Sequence, residues 1–159
     1  MIKPGKALVA SIVAVAAIGG IALSAGASAS AGSLHSTLAP SKPTDPPFHS
    51  VVAGGLPWVL NHGRVAVTPE GEFNVALDGL VIPALGTPGP VKTVSASLYC
   101  GADANAVAAA TTKSVPLSSR GDAEINDHVT LPDTCLAPIV LIHPNGNPHA
   151  YISVTGWRG

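Results

Sequence analysis

Charge is scarce in this 159-residue chain, with eight Lys and Arg against nine Asp and Glu. Two of the basic residues, Lys3 and Lys6, lie at the very start, and without them six basic residues face nine acidic ones, a formal −3. A mildly acidic remainder with no basic stripe argues against nucleic acid or an anionic membrane surface as partner. Catalytic signatures are missing too. There is no Gly-x-Ser-x-Gly elbow and no pair of carboxylates at a telling spacing, and Asp127 and His128, adjacent in a strand-like run, point to opposite faces. No cofactor is called for. Aromatics are few, two each of Trp, Tyr and Phe, and beyond the first 29 residues no segment reads convincingly as a helix.

What is present begins with an export signal. Residues 1–29 show a charged start, an uncharged apolar run from Ala7 to Ser24 and then small residues, the layout of a secretory signal peptide. Cleavage after Ala27, Ala29 or Ala31 fits the A-x-A pattern, and Ala29 is the boundary taken here. Left uncleaved, the run approaches the roughly 18 residues that span a bilayer and would be the chain's one attachment to a membrane. Neither a lipid-bearing cysteine nor a twin arginine accompanies it. Leu131-Pro132-Asp133-Thr134-Cys135 resembles a wall-sorting pentapeptide but has Cys where that signal has Gly. The expected location is extracellular.

In an oxidising compartment the two cysteines, Cys100 and Cys135, are expected to pair. Each belongs to an apolar run. In VKTVSASLYC (91–100), Val94, Ala96, Leu98 and Cys100 alternate with Ser95, Ser97 and Tyr99, the period of a half-buried strand. CLAPIVLIHP (135–144) is apolar almost throughout, like a strand covered on both faces. A bridge is expected to staple these two strands.

Residues 30–55 are rich in Ser and Pro and read as a disordered, semi-extended linker. Residues 56–159 read as the folded domain. Arg64 to Thr68 and Glu72 to Asp78 alternate cleanly around the turn Pro69-Glu70-Gly71, placing Val65, Val67, Phe73, Val75 and Leu77 on one face. Ala123 to Leu131 alternates again, although Asp127 falls on the inward parity, which calls for a sheet edge or a bulge. Ala106 to Thr112 leans towards strand. Asn145-Gly146 supplies the turn of a last hairpin ending in Ala150 to Thr155. Eight or nine short antiparallel strands in about 100 residues make an all-β fold, a β-sandwich immunoglobulin-like in the broad sense.

Four histidines fall in the domain. His143 and His149 flank one turn, and with His62 or His128 could offer three imidazoles to zinc or copper, but the spacing favours solvated side chains. Arg120-Gly121-Asp122 spells the adhesion tripeptide at a turn that recruits Gly and Asp for backbone reasons. Tyr99 and Tyr151 oppose the inward parities of their strands and Trp157 shares Tyr151's parity. The three form an outward strip for an extracellular protein or glycan, unless the linker or a loop covers that face.

Taken together, GRVAVTPEGEFNVALDGLVIP, TVSASLYC, VTLPDTCLAPIVLIHPNG and AYISVTG resemble small, exported, uncharacterised actinobacterial β-sandwich proteins. The resemblance covers about the last 100 residues and brings no known activity; the residues themselves favour a secreted non-enzymatic binding or cell-surface module. A histidine-based metal protein or secreted hydrolase is the alternative.

Overall fold

A computed structural model describes residues 32–105 and 107–158; the expected signal segment lies outside them. The central hairpin is the one its alternation predicts. Strands β3 (His62–Val67) and β4 (Glu72–Asp78) pair antiparallel from His62 opposite Asp78 to Val67 opposite Phe73. Val65, Val67, Phe73, Val75 and Leu77 are buried, whereas the intervening residues face outward. Gly71 closes the turn at φ 100°, a region closed to most side chains. Strand β8 (Ala123–His128) joins the free side of β4 and adds Ala123 and Ile125 to the same face.

Facing this group are β5 (Thr93–Tyr99), β9 (Ile139–Pro144) and β11 (Ser153–Thr155), with the two-residue strands β6 (Ala110–Thr111) and β7 (Val115–Pro116) along the far side of β5. Val94, Ala96, Leu98, Val140 and Ile142 point across to Phe73, Val75 and Ile125 in one apolar core. The alanine run thus yields two residues of strand, and Ser97 and Thr111 join their hydroxyls across it at 2.8 Å.

The Ser/Pro-rich stretch is not a linker. Residues Leu34–Pro40 form β1, which lies between β3 and β11 in the middle of the sheet. Its first half, Leu34 to Thr37, pairs with β3, and its second half, Leu38 to Pro40, pairs with β11, so one strand belongs to both halves of the sandwich. Leu34, Ser36 and Leu38 do keep the period of two, but a serine in the inward register and the prolines that follow hide it. Ladder hydrogen bonds come from the backbone, and Ser/Thr-rich sequence supplies them as well as valine does. Folded structure therefore begins well before residue 56.

Among the described residues nine strands make the principal sheet, in the order β6-β5-β9-β11-β1-β3-β4-β8 with β7 beside β5. The sheet curls until its ends approach, where Asp127 on edge strand β8 accepts the Lys113 N–H at 2.8 Å. That bond, above all, holds the Asp127 carboxyl below its ordinary range, and the edge position accounts for a carboxylate in the inward register. One pairing departs from the antiparallel expectation: β2 (Val52–Ala53) lies parallel to β10 (Ala150–Tyr151). Cys100 and Cys135 are joined. Cys135, however, sits in the loop before β9, so the bridge ties the end of β5 to that loop rather than strand to strand, beside the Gly101 N–H to Leu136 carbonyl bond at 2.6 Å.

Candidate functional site

The aromatic strip is covered by the Ser/Pro-rich segment, which does not behave as a spacer. Residues 41–54 fold as a strap over the outer face of β9 and β10, where Phe48, Val51, Tyr99, Leu141, Tyr151 and Val154 make a second apolar cluster. Tyr151 is fully buried and donates its hydroxyl to the Pro46 carbonyl at 2.9 Å. Burial, aided by the nearby Asp45 charge and opposed by Arg158, pushes its pKa up to about 12. Tyr99 lies under the His49 ring, stacked at 4.9 Å, and burial raises its pKa also. Neither tyrosine faces solvent, which is the covered arrangement of the two the parity allowed. Trp157 is different: it is 89% exposed.

The histidines do not converge. His62 lies 3.6 Å from Asp78, His128 lies 3.1 Å from Glu72, and His149 is exposed on its turn. His143 is buried. Among the described residues no three His, Cys, Asp or Glu side chains gather as a metal site would need. The Arg120-Gly121-Asp122 turn is spent on the fold. Asp122 accepts the Gly79 N–H at 3.1 Å and Arg120 Nε at 3.2 Å, the first being the main cause of its lowered pKa, while the Gly121 carbonyl takes the Leu80 N–H.

An open surface remains on the other side of the molecule, and strand register builds it. Across four strands of the first half, one row sets Thr37 (β1), Arg64 (β3), Ala76 (β4) and Glu124 (β8) side by side, and the next sets His35, Ala66, Asn74 and Asn126. Ala66 and Ala76 sit inside these rows with longer polar side chains around them, so the face is a trough. At one end it deepens into a groove of about 780 Å³ that reaches Asn61, His62, Asp78, Trp157 and Arg158. Trp157 is brought there by the strand before it: Gly156 N–H bonds the Thr37 carbonyl at 2.9 Å, and the Thr37 hydroxyl bonds the Gly156 carbonyl at 2.7 Å. Arg158 is anchored by its ion pair with Asp45.

Chemically the trough offers an uncovered indole, amide and carboxylate groups and one guanidinium free of ion pairs among the described residues, Arg64. Of its members, sequence reasoning had singled out only Trp157 and His62. The signal for the rest was the polar parity of RVAVT, EFNVALD and AEIN, which had served only to orient the inward face. The fold defines an all-β, disulfide-bridged curled sheet with sandwich-like packing. The chain matches no protein-family model, no curated protein and no solved structure.

Proposed function

We propose that the protein is an exported, non-enzymatic binding module that holds a glycan in the trough ending at Trp157. The observation that carries this reading is the exposed indole beside a row of hydrogen-bonding side chains. A pyranose ring has an apolar face that stacks on an aromatic ring and a rim of hydroxyls that both donate and accept, and the trough supplies both kinds of partner. Its mixed charges, Arg64 against Asp78 and Glu124, match a neutral polyhydroxyl ligand better than a strongly charged one. Export rests on the signal-like residues 1–29 and agrees with the disulfide.

Affinity electrophoresis through gels holding soluble polysaccharides, followed by a glycan array, tests the binding. Trp157→Ala should weaken retention by at least about tenfold, a loss of about 1.4 kcal/mol, and leave the melting temperature unchanged because the ring packs against little. Unchanged retention in that variant, or no glycan retained by the native protein, would reject the glycan reading; capture of a protein by the same face would replace it. Export is checked by intact mass. Protein from culture medium should start at Ser28, Ser30 or Gly32, and a chain starting at Met1 in a membrane fraction would contradict cleavage.

A further inference from the structure

His143 is 1% exposed, and nothing in the trough uses it. It stands in β9 opposite Ser95, on the face beneath the strap. Its Nδ1 lies 2.8 Å from the Ala150 carbonyl oxygen, which can only accept, so Nδ1 carries the proton and the neutral ring donates. Nε2 is then a buried lone pair, and among the described residues it has no hydrogen-bond partner. The carbonyl that His143 holds belongs to the stretch on which the strap rests. Val52 N–H bonds the His149 carbonyl at 3.1 Å, Gly54 N–H bonds the Tyr151 carbonyl at 2.8 Å, and β2 pairs with β10 between them.

We propose that His143 is an acid-sensitive latch: the buried charge gained when Nε2 is protonated drives the ring out towards water, which breaks its tie to Ala150 and frees residues 48–54 from the outer face of the second half-sheet. A second proton on the ring finds no acceptor within hydrogen-bond distance of Nε2 among the described residues, and the backbone at Asn147 offsets burial only in part, so the charged ring must turn to water or remain as a poorly compensated buried charge. Turning out removes the bond to Ala150 and loosens the two-residue parallel ladder above it.

The surroundings offer no charge to soften this. Strand β5 presents Ser95 and no ionic residue between Thr93 and Tyr99, and β11 presents none. Strand β10 brings Tyr151, whose hydroxyl is committed to Pro46. The turn brings His149, which is exposed. On the strap, Asp45 is engaged by Arg158 and the Lys42 N–H, and His49 by the Asp103 carbonyl. Among the described residues no carboxylate lies within 4 Å of the His143 ring.

Burial accordingly depresses the His143 pKa below its ordinary 6.5, an effect only partly offset by the backbone at Ala150 and Asn147. Stability linked to a depressed histidine is complete above 6.5 and is lost as pH falls towards the ring's lower folded value, because in that window the open state binds more protons. One proton limits the effect to about tenfold in the opening constant per pH unit.

Hydrogen exchange of the full chain, corrected for the intrinsic pH dependence, reads the latch at the amides of Val52 and Gly54. Their opening should increase by up to about tenfold per unit between pH 6.5 and 5, while the amides of β4 stay protected. His143→Gln, which can still donate to Ala150 but cannot titrate there, should abolish the increase, whereas His149→Gln and His49→Gln should keep it. An equal increase in His143→Gln, or a strap that stays closed at pH 5 in the native protein, would overturn the proposal. Should His143→Gln fail to fold, NMR titration of the native imidazole decides: its midpoint must coincide with that of strap opening, and a mismatch rejects the latch.

Discussion

A chain that begins at Leu56 is expected not to fold. It keeps the whole region that alternation marks as the domain and loses β1 and the strap. Strands β3 and β11 would then face each other across an empty position, each with a row of unpaired backbone groups. Burial of Leu38 and Val51 would be lost, at about 1.5 to 3 kcal/mol for each side chain. Each ladder bond adds about 1 kcal/mol. The Trp58 N–H would also lose the Ser41 carbonyl it bonds at 2.9 Å. Together these losses rival the 5–15 kcal/mol that holds an ordinary domain. Circular dichroism and thermal melting against a chain starting at Gly32 make the comparison. A cooperative transition in the shorter chain would show that β1 is dispensable.

The second large effect belongs to the bridge. Replacing both Cys100 and Cys135 by Ser is expected to lower stability by about 2 to 5 kcal/mol, read as a shift of the urea midpoint at unchanged slope. The bridged residues are 35 apart in sequence, a closure for which chain entropy alone suggests about 4 kcal/mol. The enclosed stretch contains β6 and β7, of two residues each, and edge strand β8, so it has little else to hold it. The β5–β9 ladder survives the substitution, and the variant should still fold. Thiol titration of the unfolded, unreduced native protein gives the complementary reading: two reactive thiols per chain would contradict the bridge.

Much of the architecture was legible because alternation is a backbone property that side chains advertise. Val65 to Val67 and Phe73 to Leu77 carry it in the open, and the turn at Gly71 confirms it. Strand β9 was legible for the opposite reason, since continuous apolarity meant cover on both faces and both faces are covered. Strand β1 was not, because Ser36 stands where a valine would announce the register and four prolines crowd the nine residues after Ala39. Composition outweighed period there. The consequence extends to Tyr99 and Tyr151: parity alone places them on the outer face, and what covers them is a strap whose composition is that of a spacer. Trp157 keeps its exposure because it lies past the end of β11, at the groove of the opposite face. The trough was invisible for a different reason. Depth on a sheet face comes from which side chains neighbour one another across strands, and Ala66 and Ala76 acquire meaning only once register sets them beside Arg64, Asn74 and Glu124.

The shared strand also carries a consequence in time. Thr37 meets Gly156, 119 positions further along the chain, so the pairing that unites the two halves joins the first strand of the described residues to the last. Closing so long a loop is slow and yields nothing until both ends are present. Before then β3 and β4 can pair locally, but the strand that links them to the opposite half has only one of its two neighbours. A polypeptide threaded outward first residue first would therefore complete this sheet only once residues 153–156 had crossed, and their arrival sets its closing step.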